Sequence, residues 1–555
     1  MQPLPATLAR DLSRAAAHPH DADARAGIEW VQTHLSHVFL TCERVYKLRK
    51  SVDLGFVDFS TRARRNRDCL REVALNRRLA RHVYLGIAPI ERARRGFRVG
   101  ALDANAQRLD ASREHVVVMQ RLPAGCDALS MLARGALRPA QLDAVAQCLA
   151  RFHADHGLGR PSPWSRAAWF ARVQAPVLEN LRLLEAGAGR LYPRAAWAEL
   201  RARARAFAIA QRAAFEARRV AGRAVDGHGD VHLQHVWFEP GRSEPTLIDC
   251  IEFNDELRRI DAAAEVAFLA MDLIYRRRTR LADRFLRVYA GRADDYELYR
   301  VVDYFLSYRA AVRAKVAAIA ADDAGIDAAQ RKAAAASARR HLALALRFLA
   351  PRPLGGVVVM AGVVGTGKST AAEVVAGALG GVVIASDLVR KRLHGMAATD
   401  RSGAAKGLYS RAARDRVYEA MLERAAAVVD AGRVAVLDAT YARTHQRDAV
   451  LRFATQRGVA VWIVETRARR ATALARLALR QARGDSASDA GPARHAASVA
   501  EFEAFRLPHG VRRRVVRTDV AGWQVALRRA ARAWSTPTRS CGIPCRATAV
   551  PKHRR

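Results

Sequence analysis

The first part of the chain alternates between short apolar runs and longer stretches of helical periodicity. Two β-favouring runs, His37–Thr41 and Arg44–Leu48, are separated by only two residues, which predicts a hairpin. Residues 114–119 form an apolar run that predicts a buried strand, and apolar residues recur at helical spacing between 67 and 79. Alanine-rich helical patterns fill residues 137–156, 165–220 and 257–350. We therefore predict a small β-containing lobe followed by a large helical lobe.

The pattern changes after residues 351–356, Pro-Arg-Pro-Leu-Gly-Gly, which have the composition of a linker. Short apolar runs then alternate with helix-compatible stretches, which predicts βαβ units and a parallel sheet. These runs cover residues 357–361, 382–384, 434–437 and 459–464. The predicted fold class is a multidomain chain that combines α+β and α/β parts. The predicted segments are a flexible N-terminus (1–25), a first domain (26–350), the linker (351–356), a second domain (357–533) and a low-complexity, disordered tail (534–555).

Charge is the most conspicuous feature of the composition. The 555 residues are 50% hydrophobic, so the chain can form large cores and is not globally disordered. The 93 basic and 54 acidic residues give a net charge of +39, which invites a nucleic-acid hypothesis. Only eight of the basic residues are lysines, and the arginines are scattered along the whole chain. We interpret the excess as compositional bias and do not predict a nucleic-acid partner.

The cysteines and the apolar runs indicate the compartment. Seven widely spaced cysteines do not form a disulfide framework, which suits a reducing environment. We find neither an apolar run long enough to cross a membrane nor an N-terminal leader with an apolar core. The sequence therefore predicts a cytoplasmic protein that does not bind membranes.

The strongest motif lies directly after the predicted strand 357–361. The segment Gly362–Ser369 fits G-x-x-x-x-G-K-[ST] and precedes a predicted helix, which is the context of a phosphate-binding loop. Its glycines let backbone N–H groups surround phosphate oxygens at the positive end of the helix. Lys368 would reach the β- and γ-phosphates of ATP, and Ser369 would hold Mg²⁺. The predicted nucleotide-binding residues are Gly362, Val363, Val364, Gly365, Thr366, Gly367, Lys368, Ser369 and Thr370.

Further polar residues favour a kinase over a motor ATPase. Asp387 follows the second strand, where its carboxylate would face an acceptor hydroxyl, and Asp438 ends the third strand at a position suited to ordering Mg²⁺. Three arginines share one helix face and would close over the transferring phosphate: Arg476, Arg480 and Arg483. A solvated helix face is the alternative for these arginines.

Residues 357–533 resemble P-loop small-molecule kinases of the gluconate kinase, polynucleotide kinase and zeta-toxin kind. In that group an aspartate at the end of the second strand contacts or deprotonates the acceptor. This resemblance implies that role for Asp387, and it implies that Arg480 is the lid arginine, with Arg476 or Arg483 as substitutes.

A second set of chemical residues lies in the first domain. Asp230, in a His-Gly-Asp loop, is followed 19 residues later by Asp249 at the end of an apolar run. The first aspartate would orient or deprotonate a substrate hydroxyl, and the second would bind the Mg²⁺ of a nucleotide. Lys47 lies in a predicted strand and Glu72 in the following helix, as in a pair that steadies nucleotide phosphates.

Residues 28–350 resemble the aminoglycoside phosphotransferase family, whose H-G-D-x-x-x-x-N loop and later I-D motif match. The resemblance implies a kinase-like fold with a small β lobe and a helical lobe. It implies that Asp230 is catalytic, that Asp249 binds metal, that Lys47 contacts phosphate and that Met119–Leu122 is the hinge that receives adenine.

The match departs from that family at two places. The family's metal-binding Asn falls on His235, whose imidazole is a poor partner for Mg²⁺. His235 would bind the metal through water, or the domain would bind a ligand without transferring phosphate. The glycine-rich turn between the first strands is replaced by Thr33–His37.

The two halves together resemble a bacterial fusion of an aminoglycoside phosphotransferase-like domain with a P-loop kinase-like ATPase domain of the AAA family. The first hypothesis is an ATP- and Mg²⁺-dependent phosphotransferase for a small hydroxyl-bearing molecule, with its best-supported site at the P-loop. The second is an ATP-hydrolysing regulator whose first domain senses a ligand. The third is a kinase of polynucleotide ends, which would bind DNA or RNA in a salt-dependent way.

Overall fold

The computed structural model of the protein describes residues 2–53, 55, 57–396, 410–483, 491–508 and 511–534, and of Arg483 only the backbone. These residues form two units. The first comprises residues 1–354 with 423–432, and the second comprises the remainder from Gly355 onward. The predicted disordered tail lies outside the described residues, apart from its first residue, Trp534, which ends a helix.

The first unit begins with a β-rich lobe. Its strands are β1 (Glu29–Gln32), β2 (Ser36–Leu40), β3 (Arg44–Arg49), β4 (Tyr84–Arg92), β5 (Phe97–Val99), β6 (His115–Gln120), β7 (Ala224–Asp226), β8 (Val236–Trp237), β9 (Thr246–Leu247) and β10 (Arg259–Asp261). The first six form one antiparallel sheet in the order β1-β2-β3-β6-β4-β5. The predicted hairpin is confirmed as β2–β3, in which Val38 pairs with Lys47. Strands β7 and β10 pair with each other, as do β8 and β9.

Helices supply the rest of the first unit. They are α1 (Leu8–Leu12), α2 (Arg62–Ala80), α3 (Ala128–Ala133), α4 (Pro139–Asp155), α5 (Arg166–Leu184), α6 (Arg194–Ala210), α7 (Arg212–Val220), α8 (Ala262–Tyr275), α9 (Thr279–Ala293), α10 (Val302–Asp322) and α11 (Ala328–Phe348). The small β lobe and the large helical lobe are therefore confirmed. The predicted helical stretch 165–220 is divided into three helices, because the chain turns between Glu185 and Pro193 and again at Gln211.

Different elements pack against the two faces of the six-stranded sheet. Successive side chains of a strand point to opposite faces. Tyr46 and Leu48 of β3 therefore pack in one cluster with Leu12 of α1, whereas Val117, the partner of Lys47, packs against α2. This alternation brings Lys47 to the face that α2 covers.

The N-terminal segment differs from the prediction of a flexible lead-in. Residues 8–12 form a helix, and Leu8 and Leu12 are 1% and 0% exposed in the sheet core. Thr41 and Tyr46 also donate hydrogen bonds to the carboxylate of Asp21 (both 2.9 Å). The segment is ordered because one face of the sheet would otherwise expose Phe39 and Tyr46 to water.

The second unit is a five-stranded parallel sheet with helices. Its strands are β11 (Val357–Ala361), β12 (Val382–Ala385), β13 (Ala435–Asp438), β14 (Val461–Arg467) and β15 (Arg512–Arg517), in the order β12-β13-β11-β14-β15. Its helices are α12 (Lys368–Leu379), α13 (Ser386–Leu393), α14 (Arg411–Asp430, of which residues 423–430 are assigned to the first unit), α15 (Thr444–Arg457), α16 (Arg470–Arg483), α17 (Arg494–Ala500) and α18 (Trp523–Trp534). The predicted parallel sheet is confirmed, and β11 lies at its centre.

Strand β15 was not predicted. Four of its six residues are arginines, and only Val516 is buried, so the segment lacks the apolar signal of a strand. Its place at the edge of the sheet explains this composition, because charged side chains on an edge strand discourage pairing with other chains. Among the described residues, the structure contains no helix with the length and apolarity of a membrane span.

Replacing Leu12 by alanine tests whether the N-terminal segment is part of the first unit. Because the side chain is fully buried, Leu12→Ala is expected to destabilise that unit by about 2–5 kcal/mol in urea unfolding. Leu183→Ala is the matched control, since Leu183 is 44% exposed. Equal unfolding midpoints for the two variants would contradict the packing described above.

Candidate active sites

The loop after β11 has the backbone of a phosphate-binding loop. Gly362 has φ 140°, and a Cβ atom there would lie 2.5 Å from the carbonyl oxygen of Thr466. Gly365 has φ 89°, and a Cβ there would lie 2.8 Å from the carbonyl oxygen of Ala473. Only glycine fits these two positions. Helix α12 begins at Lys368, so its unpaired N–H groups face the loop.

Four predicted residues converge on this loop. The Lys368 ammonium donates a hydrogen bond to the carbonyl oxygen of Val363 (3.0 Å). Burial lowers the pKa of Lys368 to about 8, against the opposing charges of Asp438 and Asp387. Burial also raises the pKa of Asp438 to about 6, although a hydrogen bond from Ser369 and the charge of Lys368 favour its ionised form. The structure thus brings Lys368, Ser369, Asp387 and Asp438 together.

Asp387 begins helix α13 directly after β12, where the sequence placed it. Its carboxylate forms an ion pair with Arg390 one turn later (2.5 Å). Its place directly after β12 puts Asp387 at the carboxyl ends of the parallel strands, where α/β proteins bind ligands.

Of the three predicted arginines of α16, the structure describes the side chains of Arg476 and Arg480. The guanidinium of Arg476 donates hydrogen bonds to the hydroxyl and the carbonyl oxygen of Thr518 (both 2.8 Å), so it anchors the end of β15. The guanidinium of Arg476 also lies beside the P-loop, since a Cβ atom on Gly367 would lie 3.3 Å from its Nη1, and its role as a substitute for Arg480 stays a prediction. Arg480 lies close enough to Lys368 to lower the pKa of that lysine. The side chain of Arg483 lies outside the described residues.

Two contacts to the loop were missed from the sequence. His495 approaches the carbonyl oxygen of Val364 through Nδ1 (2.9 Å), and the Val364 amide donates to the hydroxyl of Ser498 (3.1 Å). Both residues belong to α17, about 130 positions after the loop. No local pattern marks them, because their relation to Val364 arises from the fold.

In the first unit, Lys47 joins two elements of the predicted nucleotide site. Its ammonium lies 2.8 Å from the Glu72 carboxylate and 3.2 Å from that of Asp249. Burial opposes the charge of Lys47, but Asp249 and Glu72 raise its pKa. In turn Lys47 is the main cause of the lowered pKa of Asp249. The structure therefore brings together Lys47, Glu72 and Asp249, which are far apart in sequence.

A buried arginine, missed from the sequence, supports this triad. Arg49 forms ion pairs with Asp68 and Glu72 (both 2.6 Å) and with Glu252. All four side chains are at most 6% exposed. Because an unpaired buried charge costs several kcal/mol, these contacts tie β3 to α2 and to the segment after Asp249.

Glu265 of α8 forms hydrogen bonds with the backbone of the loop that carries Asp230. The carboxylate of Glu265 accepts hydrogen bonds from the backbone amides of His228 (2.8 Å) and Gly229 (3.0 Å). Burial raises the pKa of Glu265, and these amides oppose that effect. Burial also opposes ionisation of Asp230, yet His232 and His235 lower its pKa to about 2. Asp230 is therefore a carboxylate at neutral pH.

His235 lies between the two predicted aspartates. Its Nδ1 lies 2.9 Å from the carbonyl oxygen of Asp230, and its Nε2 lies 3.4 Å from Asp249 Oδ2. A carbonyl oxygen accepts hydrogen bonds only, so Nδ1 carries the proton and Nε2 keeps its lone pair. Burial and the neighbouring His232 lower the pKa of His235, which favours this neutral form.

The two sites differ in their fit to Mg²⁺. At the P-loop, the hydroxyl of Ser369 and the carboxyl of Asp438 provide the oxygen donors that Mg²⁺ prefers. In the first unit, Asp249 provides oxygen but His235 provides nitrogen, which suits transition metals better than Mg²⁺. The residues of the P-loop thus fit Mg²⁺–ATP, and those of the first unit fit it less well.

The turn between β1 and β2 lies where kinase-like folds carry a glycine-rich loop. Here the hydroxyl of Thr33 accepts hydrogen bonds from the amides of Leu35 (3.3 Å) and Ser36 (3.0 Å). A side chain therefore closes the turn in place of flexible glycines.

Comparison with known proteins supports the division of the chain into two domains. Residues 44–302 match the phosphotransferase enzyme family, and residues 357–505 match an AAA domain. These matches and the two folds define a fusion of an aminoglycoside phosphotransferase-like, kinase-like domain with a P-loop domain.

Close relatives occur in mycobacteria. The uncharacterized protein Rv2004c of Mycobacterium tuberculosis (strain ATCC 25618 / H37Rv) is 34% identical over 425 residues, which cover 76% of this chain and 80% of the relative. The uncharacterized protein Mb2027c of Mycobacterium bovis has the same identity and coverage. The chain belongs to the family of these mycobacterial proteins.

Solved structures also resemble single units. A gluconokinase from Sinorhizobium meliloti 1021 is 22% identical with a TM-score of 0.23, covering 33% of this chain and 92% of its own. An aminoglycoside phosphotransferase from Alicyclobacillus acidocaldarius is 17% identical with a TM-score of 0.32, covering 63% of this chain and 96% of its own.

Nucleotide binding at the P-loop is expected to depend on the ionisation of Asp438. Its pKa of about 6 means that the carboxylate predominates above this pH and the neutral acid below it. Only the carboxylate holds Mg²⁺ strongly, so Mg²⁺-dependent binding of a fluorescent ATP analogue should weaken as the pH falls through about 6. The measurement is made on a Lys47→Met variant, so that nucleotide binding by the first unit contributes little to the signal.

Asp438→Asn is the control for this titration. It should bind the analogue more weakly in Mg²⁺ and lose the step near pH 6. A variant with the wild-type pH profile would show that another group titrates.

Proposed function

We propose that the protein is an ATP- and Mg²⁺-dependent phosphotransferase whose transfer site is the P-loop of the second unit. The observation that carries this proposal is the convergence of Lys368, Ser369, Asp438 and Asp387 at one strand-end loop. The acceptor in this proposal is a small molecule with a free hydroxyl group. The matches to the phosphotransferase enzyme family and the AAA domain support phosphotransfer as the class of reaction.

Each residue has a separate task in this reaction. The loop amides and Lys368 bind the β- and γ-phosphates and stabilise the charge that develops on the transferring group. Mg²⁺, held by Ser369 and Asp438, would neutralise charge on the same phosphates. Asp387 orients the acceptor hydroxyl and takes its proton, and Arg480 pairs with the transferred phosphoryl group.

Transfer of labelled phosphate from ATP to a pool of cellular metabolites tests the proposal. Lys368→Met should reduce transfer by about 10²–10³-fold, because it removes a charge that stabilises the transition state. Asp387→Asn should reduce transfer while leaving ATP binding unchanged. Lys332→Met, at an exposed position of α11, should keep full activity.

Full activity of Lys368→Met would overturn the assignment of the P-loop as the transfer site. Normal transfer by Asp387→Asn would remove that residue from the mechanism. Transfer to oligonucleotide ends that is abolished by salt would support a polynucleotide kinase instead.

For the first unit, we propose nucleotide or ligand binding with weak phosphotransfer. The supporting observation is His235, whose nitrogen faces Asp249 where an oxygen donor would suit Mg²⁺. Asp230, Lys47 and Glu72 retain the charges of a kinase-like site, so the change at His235 affects the metal more than the fold.

His235→Asn is expected to increase Mg²⁺ affinity at the first unit by about tenfold. The effect is measured as Mg²⁺-dependent ATP turnover in a Lys368→Met background, where the P-loop is silent. Adding Asp230→Asn should abolish the gain. If His235→Asn leaves both metal affinity and turnover unchanged, the side chain at this position does not limit the first unit.

A further inference from the structure

A cavity of about 400 Å³ lies in the helical part of the first unit, away from the Lys47–Asp249 pair. Helices α5 and α10 and the segment 256–264 form its walls. Much of its lining is apolar or aromatic and includes Trp169, Val173, Pro176, Leu257, Ile260 and Phe305. A space of this size is sufficient for a small organic ligand.

The lining contains a buried arginine without an acidic partner. Arg309 of α10 is 7% exposed, and among the described residues it forms no ion pair, although its charge acts on the buried carboxylate of Glu265. Among those residues its guanidinium donates one hydrogen bond, from Nε to the carbonyl oxygen of Ala264 (3.2 Å). The guanidinium also lies 4.8 Å from the centre of the Phe268 ring. Since a guanidinium has five N–H donors, most of them remain available to a ligand.

The acidic residues of the lining are already paired. Glu256 forms an ion pair with Arg172. The Asp261 carboxylate lies 2.7 Å from the guanidinium of Arg218, which is 1% exposed. Neither carboxylate pairs with Arg309. The charge of Arg309 does act on the buried carboxylate of Glu265 and opposes the effect of burial on its pKa, but that carboxylate already accepts hydrogen bonds from two backbone amides.

Polar groups of α5 beside the cavity also lack partners. Nε of Arg172 is buried and makes no hydrogen bond. Pro176, one turn later in the same helix, has no N–H to donate to the carbonyl oxygen of Arg172. These two groups of α5 add a donor and an acceptor to a largely apolar space.

We propose that this cavity binds a small organic anion, with a carboxylate or phosphate group paired to Arg309 and an apolar or aromatic body against Trp169 and Phe305. Within the described part of the chain, Arg309 donates a single hydrogen bond, so its other N–H groups would bind the oxygens of such an anion. A planar, bidentate acid is the group that a guanidinium binds best. The apolar lining excludes a polycationic ligand.

The cavity adjoins the loop that carries Asp230. Leu257 lines the cavity, and its carbonyl oxygen would lie 2.9 Å from a Cβ atom on Gly229, so the two segments are in direct contact. A bound anion would thus lie one chain segment away from Asp230. The proposal concerns binding alone and does not depend on phosphotransfer at either unit.

Calorimetric titration of the full-length protein with four benzene derivatives tests the proposal. Benzoate and phenyl phosphate carry the anion, benzamide is the neutral match, and benzylamine is the cationic match. We expect the two anions to bind about tenfold or more tightly than benzamide, because only they pair with Arg309. Benzylamine should not bind.

Two variants assign the preference to Arg309. Arg309→Met should bring benzoate affinity to the level of benzamide, and Arg309→Lys should restore part of the difference. Arg313→Met, one turn further along α10 and outside the lining, is the control and should bind like wild type. Equal binding of benzoate and benzamide by the wild type would overturn the proposal even if Arg309→Met failed to fold. Absence of anion binding at millimolar concentration, or unchanged benzoate binding by Arg309→Met, would overturn it as well.

Discussion

Removing a charged side chain from water costs several kcal/mol unless another group compensates it, and both units are built around charges removed in this way. In the first unit, Arg49 and Lys47 of β3 are surrounded by carboxylates from two other elements, α2 and the segment 249–252. Because none of these groups can remain buried without the others, the sheet, α2 and the segment after Asp249 must assemble together. The site geometry is therefore a consequence of charge compensation.

In the second unit, backbone groups rather than ion pairs define the geometry of the site. Its central strand β11 ends in a loop where Gly362 and Gly365 pass close to neighbouring carbonyl groups. The amides of that loop and the start of α12 provide a positive end that requires an anion. Burial also shifts the pKa values of Lys368 and Asp438 towards neutrality, so phosphate and Mg²⁺ would restore both charges.

The arginine excess has a structural use in addition to its compositional origin. Arg49, Arg65 and Arg218 are among the largest fully buried side chains, and each forms ion pairs with carboxylates. Arg476 anchors the end of β15 through Thr518. These arginines therefore have structural roles that need no external partner. Arg309 is informative because it is buried and, within the described part of the chain, forms no ion pair.

The sequence by itself determined both fold classes, the P-loop and the order of strands and helices around it. These features depend on local signals: apolar periodicity, glycines before a lysine, and aspartates at strand ends. It missed the ordered N-terminus, β15 and the contacts of His495 and Ser498, because their reasons lie in residues far along the chain. Only the tertiary structure decided that Arg476 is a structural anchor and that His235 faces Asp249. Partners of a charged side chain are a property of three-dimensional proximity, which sequence spacing does not encode.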